Sequence, residues 1–218
     1  MARMARMRLD HLSFAAGPDG LKATTERLSE QLGGAEIHDG GFHPRFGTRN
    51  QILPLAGGQY LEVVEVLDHP AAEKAPFGQA VRARRDLGGG WLGWVVAVDD
   101  LVPIEARLGR KAVPGNRRLP EGEELQWQQI GIKGLQADPQ LPFFVRWLSD
   151  PESHPSVGGG DIRLVKMEIA GSSERVSEWL GGEPDQVVDE LEIDWIAPNG
   201  QPGIEAATFE TPAGPVRI

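Results

Sequence analysis

Two polar residues interrupt apolar, strand-like stretches in the first third of the chain. His11 lies within the stretch Leu9 to Ala16, and Glu62 lies within the stretch Gln59 to Leu67. An imidazole and a carboxylate on two strands of one curved sheet can converge on a divalent ion such as Zn, Fe, Mn, Ni or Co. They can also transfer protons without a metal. The alternative is a hydrogen-bonded core histidine and a glutamate on the polar face of an alternating strand.

A second set of polar side chains lies between these two residues. The segment reads His43-Pro-Arg-Phe-Gly-Thr-Arg49-Asn50 and leads into an apolar stretch that ends at Leu55. Histidine, arginine and asparagine at the entrance of a strand can hold a carboxylate or phosphate, since arginine offers a forked donor to such groups. Alternatively, Asn50 satisfies backbone groups in a loop and Arg49 forms a surface ion pair. His43, Arg49 and Asn50 are therefore candidate substrate-binding residues.

The elements that must position these residues recur three times along the chain. Each pass begins with an apolar strand, continues with a short amphipathic helix and ends with three extended stretches. Each helix is followed by glycine, which adopts the left-handed conformation of a helix end at no steric cost. This order predicts an α+β fold of repeated βαβββ modules, which span residues 8–68, 90–150 and 161–218.

Two inserts interrupt this repeat. The first is a predicted helix from Phe77 to Arg85, and the second is a linker from Pro151 to Gly160 that contains three consecutive glycines. Glycine-rich composition is typical of a flexible connection, so the linker is expected to separate the second module from the third.

Composition excludes several classes of function. The net charge of -10 repels nucleic acid phosphates, so no nucleic acid partner is expected. The chain contains no cysteine, which excludes disulfides, thiolate metal ligands and cysteine nucleophiles. No apolar stretch approaches the roughly 18 residues that a membrane-spanning helix needs, and the basic start has no apolar region behind it. We therefore expect a cytoplasmic protein without a membrane partner.

Several phrases resemble the vicinal-oxygen-chelate superfamily of glyoxalase, bleomycin-resistance and dioxygenase type proteins. They are Arg8-Leu-Asp-His11, Tyr60-Leu-Glu62-Val and, most specifically, Phe46-Gly-Thr-Arg-Asn-Gln-Ile-Leu-Pro-Leu55, which is similar to the glyoxalase-like branch. The resemblance implies paired βαβββ modules that form a half-open barrel around a divalent metal. Each module would supply one metal ligand from its first strand and one glutamate from its last strand. His11 and Glu62 match these positions in the first module.

The second module departs from this pattern. Alignment places its first ligand near Gly93 or Trp94, and neither residue can bind a metal. Its last-strand position falls at Arg146, where the charge is reversed. A cation beside a metal is unfavourable, whereas a cation beside an anionic substrate is useful. Arg146 thus becomes a candidate substrate-binding residue.

Three functions remain open at this point. The first is a lyase, isomerase or dioxygenase in which His11 and Glu62 hold a divalent metal that polarises a substrate carbonyl. The second is a binding or sequestration protein without metal, in which Arg146, Arg49 and His11 hold an anionic or aromatic ligand. The third is metal-free acid–base catalysis by His11 and Glu62. Each implies a small-molecule ligand, and the unpaired third module suggests a homodimer.

Overall fold

The computed structural model describes residues 7–189, 192–197 and 200–218 and contains thirteen strands and seven α-helices in those ranges. The first part of the chain forms β1 (Met7–Ala15), α1 (Leu21–Gln31), β2 (His38–His43), β3 (Thr48–Pro54), β4 (Tyr60–Val66), α2 (Pro70–Lys74) and α3 (Pro76–Asp86). The middle forms β5 (Gly90–Val98), α4 (Val102–Leu108), β6 (Val113–Arg118), β7 (Glu124–Ile130), α5 (Gly134–Ala137) and β8 (Phe143–Trp147). The last part forms β9 (Arg163–Ala170), α6 (Ser173–Leu180), α7 (Pro184–Val187), β10 (Val188–Asp189), β11 (Glu192–Ile196), β12 (Gly203–Thr211) and β13 (Gly214–Arg217).

Eight of the strands form a closed ring in the order β1-β4-β3-β2-β6-β7-β8-β5, and β5 pairs back onto β1. In both halves of the ring the first strand pairs in parallel with the last, as β1 does with β4 and β5 with β8. The two halves also meet between β2 and β6, where Phe42 pairs with Arg118. The predicted fold class, α+β with a barrel of βαβββ type, is confirmed.

The last part of the chain adds a second sheet in the order β11-β9-β12-β13, while β10 extends the first sheet beside β1. One hydrophobic cluster joins outward-facing barrel residues such as Trp94 and Phe144 to Trp179 and Phe209 of this last part. A second cluster lies inside the barrel and includes Phe77 of α3. The division of the chain into three modules stays a prediction.

Several local predictions can be compared directly with these elements. The expected helix from Phe77 to Arg85 is α3, and the glycines after α1, α4 and α6 have positive φ angles. The segment from His43 to Asn50 is only partly a loop, because residues 44–47 form a turn between the end of β2 at His43 and the start of β3 at Thr48. Strand propensity does not predict β2, because Gly40 and Gly41 lie in the middle of this strand and glycine is depleted in strands. An added Cβ at Gly40 would collide with the Asn50 side chain, so the strand requires glycine there.

None of the helices in the described ranges has the length and apolar character needed to cross a membrane.

Candidate functional site

A cavity lies inside the barrel and contains about 420 Å³ of space free of protein atoms, including the part open to solvent. Phe46, Phe77, Trp127, Phe143 and Trp147 give it aromatic walls. Its polar lining residues are His11, His43, Tyr60, Glu62, Arg117 and Gln129.

His11 is held at the cavity by the preceding residue. Its Nδ1 atom lies 2.9 Å from Oδ2 of Asp10. A register shift in the β1–β5 pairing between Leu9 and His11 breaks the normal alternation of side chains at this point. His11 has 6% of its surface exposed, and its Nε2 atom is 3.9 Å from a Glu62 oxygen. The bulge therefore lets one strand supply both the imidazole and its carboxylate partner.

Asp10 is a fully buried carboxylate. Its Oδ1 atom accepts a hydrogen bond of 3.1 Å from the Trp147 indole and lies 3.2 Å from Nε2 of His154. Burial alone would raise the pKa of Asp10, but hydrogen bonds and charge interactions with His11 and His154 outweigh it and hold the pKa well below its usual range. Asp10 is ionised at neutral pH and so favours the His11 tautomer that carries its proton on Nδ1.

Glu62 lies between two imidazoles and accepts two short hydrogen bonds. Ser13 Oγ donates to Oε2 and Asn50 Nδ2 donates to Oε1, both at 2.7 Å. Nε2 of His43 is 3.8 Å from Oε1. Burial alone would raise the pKa of Glu62. The charges of His11 and His43 and the two hydrogen bonds lower it by more, so the net shift of the pKa is downward. The cavity therefore contains a buried glutamate that is ionised at neutral pH.

His43 is the last residue of β2, and its Nδ1 atom lies 3.0 Å from the Thr48 hydroxyl on the paired strand. Burial lowers the pKa of His43 to about 4; the charge of Glu62 opposes this shift, and Arg117 and His11 add to it. The His43 ring is consequently neutral at pH 7 and presents Nε2 to Glu62.

The structure brings four of the six predicted site residues together, namely His11, Glu62, His43 and Asn50. The remaining two are arginines on the outside of the barrel. Arg49 is paired with Glu65, with a shortest N–O distance of 2.6 Å. Arg146 is exposed, because it alternates along β8 with Val145 and Trp147, whose side chains line the cavity. Neither arginine reaches the cavity.

Sequence reasoning missed Arg117, the arginine that does line the cavity. It lies on β6 with 4% of its surface exposed, although Asn116-Arg117-Arg118 has the composition of a solvent-exposed turn. Gln129, Tyr60 and Asp10 were also missed. For Asp10 a signal was present, since a second charged residue beside His11 in an apolar strand implies a buried pair.

The polar residues do not fit the metal centre that the family resemblance implies. That centre takes ligands from both halves of the barrel, whereas the described cavity residues of the second half are Arg117, Gln129 and apolar side chains. Trp94 faces away from the cavity and donates to the Gln140 carbonyl at 2.9 Å. Among the described residues, no group of three or more His, Asp or Glu side chains is arranged to hold a metal ion.

Comparison with protein families decides the relationship. A family model described as glyoxalase-like domain matches residues 9–183. The chain belongs to this family. The resemblance to glyoxalase-like proteins of the vicinal-oxygen-chelate superfamily is thereby confirmed, and the match continues past residue 150 through β9 and α6.

Solved structures resemble this chain at low sequence identity. A hypothetical protein from Staphylococcus aureus has a TM-score of 0.63 and 15% identity, with coverage of 87% of this chain and 84% of that chain. Methylmalonyl-CoA epimerase from Mycobacterium tuberculosis has a TM-score of 0.45 and 16% identity, over 67% of this chain and 91% of that chain. A Streptomyces coelicolor methylmalonyl-CoA epimerase in complex with 2-nitronate-propionyl-CoA has values of 0.43 and 18%, over 66% and 99% of the two chains. The first likeness shows the fold alone, and the other two are too weak to support a functional argument.

Proposed function

We propose that this glyoxalase-like protein is an enzyme of isomerase or lyase type that moves a proton on a small organic molecule bound in the barrel cavity. The observation that carries the proposal is the Asp10–His11 pair, in which a buried carboxylate holds Nδ1 at 2.9 Å. This contact leaves Nε2 as the basic nitrogen on the cavity side. A histidine oriented in this way by a carboxylate is suited to act as a general base.

Glu62 and His43 complete the proposed proton-transfer site. The ionised Glu62 carboxylate, 3.9 Å from Nε2 of His11, stabilises the imidazolium that forms when His11 takes a proton. Ser13 and Asn50 hold Glu62 in place through hydrogen bonds. The neutral His43 ring supplies a second nitrogen on the other side of the same carboxylate. This arrangement suits removal of a proton from a carbon next to a carbonyl group.

Hydrogen–deuterium exchange at carbon tests the proposal. Purified protein is incubated in D₂O with 2-oxobutyrate or phenylpyruvate, and loss of the C3 proton signal is followed by NMR. We expect exchange above the buffer rate, with a loss of roughly 10²–10⁴-fold in His11→Gln, the usual contribution of a general base. The half-buried His38, which lies outside the cavity, gives the control, because His38→Gln should exchange at the wild-type rate. Equal rates in wild type and His11→Gln would refute the role of His11.

The alternative functions give different results with the same samples. The prediction that His11 and Glu62 hold a divalent metal requires a stoichiometric ion that elemental analysis detects in wild type and not in His11→Gln. A non-catalytic binding protein would bind small molecules without any exchange. The homodimer remains a prediction, for which light scattering behind size-exclusion chromatography is the test, and so does the cytoplasmic location.

A further inference from the structure

We infer that the cavity selects a small carboxylate with a flat apolar body, whose carboxylate binds Arg117 and which offers an oxygen acceptor to Gln129. This inference rests on the proposed use of the cavity as a ligand site and adds the chemical class of the ligand. It is carried by a buried arginine and a buried glutamine that line the cavity, each of which has a buried nitrogen without a hydrogen-bond partner.

Arg117 is a buried cation whose guanidinium has no ion pair or hydrogen bond to any residue that the structure describes. Its Nε atom is fully buried and unpartnered. Burial lowers the pKa of Arg117, and the charges of Tyr60, Glu62 and Asp39 oppose this shift, although no hydrogen bond or ion pair joins these described groups to the guanidinium. A buried guanidinium without a partner is costly, whereas a carboxylate would satisfy it through two parallel hydrogen bonds. The unpaired arginine is therefore explained by an oxyanion that arrives with the ligand.

Gln129 presents a second free donor whose orientation is fixed. The Trp127 indole nitrogen can only donate, and it lies 2.7 Å from the side-chain oxygen of Gln129. The amide nitrogen must then point the other way, and it is buried without a partner. Both residues line the cavity from the paired strands β6 and β7, where Arg117 lies opposite Leu125 and Gln129 lies opposite Val113. A ligand with a carboxylate for Arg117 and a separate oxygen acceptor for Gln129 matches these two donors.

The rest of the cavity defines the remainder of the ligand. Phe46 and Phe77 pack edge to face with a centroid distance of 5.7 Å, and Phe143 adds a third ring. These surfaces favour a flat apolar body over a polar one. The ionised Glu62, which also lines the cavity, disfavours a second negative charge on the ligand. The ligand class that satisfies all of these surfaces is a small monocarboxylate with an aromatic or similarly flat body.

Paired acids and amides test this selection. Benzoate, phenylacetate and phenylpyruvate are titrated against the protein by calorimetry, beside benzamide and phenylacetamide as neutral matches. In wild type we expect each of the first two acids to bind at least roughly 10-fold more tightly than its amide, because hydrogen bonds to a charged group are the strong ones. Arg117→Met should abolish this preference, and Arg117→Lys should restore part of it. Gln129→Leu should weaken the binding of phenylpyruvate, which has an additional carbonyl oxygen, more than the binding of benzoate.

Arg118→Met is the matched control, since Arg118 is the next residue on β6 and is exposed. It should keep the wild-type preference for acids. Thermal unfolding shows whether each variant is folded, and Arg117→Met should unfold no earlier than wild type because it removes an unpaired buried charge. The inference is overturned if amides bind as tightly as acids, if Arg117→Met keeps the preference, or if no acid binds at millimolar concentration to folded wild type.

The two proposals can fail separately. His11→Gln should still prefer acids over amides, because Arg117 is unchanged, even though it exchanges no protons. Acid binding that depends on Arg117 without any proton exchange would overturn the proposed function and leave the ligand class standing. Proton exchange on 2-oxo acids that is unaffected by Arg117→Met would overturn the ligand class and leave the proposed function standing.

Discussion

His43 shows at the scale of one residue how burial sets the chemistry of the cavity. It is 4% exposed, and its pKa falls from 6.5 to about 4 in the folded chain. The unfolded chain therefore binds more protons than the folded chain between these two values, so stability must decrease as the pH falls through this window. Glu62 acts in the same direction at lower pH, because its folded-state pKa is also lowered and its contribution disappears as it becomes protonated.

The lowered pKa of His43 predicts that the protein loses stability as the pH falls. Between pH 7 and pH 5, titration of His43 should cost about 2 kcal/mol of unfolding free energy, given the shift from 6.5 to about 4. His43→Gln keeps a polar side chain that does not titrate, so its stability should change less over the same interval. Urea unfolding followed by tryptophan fluorescence at the two pH values measures both proteins. An equal loss in the variant would show that other groups cause the effect.

The segment from Pro151 to Gly160 shows at the scale of an element how a predicted linker contributes to the site. It packs against the barrel through His154, whose ring lies 5.0 Å from that of Trp147 and 5.7 Å from that of Tyr60. His154 also lies 3.2 Å from Asp10, the carboxylate that orients His11. This segment therefore contacts Asp10, which orients the candidate base His11, but the segment does not line the cavity.

Removal of that contact should affect both stability and proton transfer. His154→Ala removes the His154 contact of Asp10 Oδ1 while the hydrogen bond from the Trp147 indole stays, and we expect a destabilisation of about 1–3 kcal/mol. Proton exchange should slow by less than in His11→Gln, because His11 keeps its contact with Asp10. Thermal unfolding and the D₂O assay measure the two effects. His38→Ala is the control. An identical loss of stability in that variant would mean that the destabilisation does not come from the contact with Asp10.

At the scale of the whole molecule, the barrel and the last part of the chain share one hydrophobic cluster. The rings of Phe144 and Trp179 are stacked at 6.4 Å, and Trp91 and Phe209 at 6.5 Å. Indole nitrogens add hydrogen bonds across this contact, since Trp179 donates to the Pro142 carbonyl at 2.7 Å and Trp91 to the Ile218 carbonyl at 3.2 Å. The last part is thus part of the core that supports the barrel.

A chain that ends at residue 160 should therefore fail to form a stable barrel. Truncation exposes the large apolar residues of the shared cluster, and it removes β10 from its pairing with β1, the strand that bears His11. We expect weak, non-cooperative thermal unfolding by circular dichroism and no preference for acids over amides. A cooperative transition with Arg117-dependent binding would instead show that the first two predicted modules fold without the third.

The sequence by itself determined the order of the main strands and of α1, α3, α4 and α6, because apolar periodicity and glycine at helix ends are local properties, but it did not predict α2, α5, α7 or β13. Residue type and apolar context also pointed to His11 and Glu62, which line one cavity, and the segment from His43 to Asn50 contained two more residues beside them. Only the tertiary structure decided which arginine faces the cavity. Arg117 points inward while Arg49 and Arg146 point outward, since the face of a strand residue depends on register.

The pairing of Asp10 with His11 likewise depends on the tertiary structure. Adjacent residues of a regular strand point to opposite faces, and they meet here because the β1–β5 register shifts between Leu9 and His11. That shift arises from contacts between residues more than eighty positions apart, such as His11 with Val95. A local pattern has no access to such contacts, so the sequence supplied the reactive groups and the tertiary structure determined which of them meet.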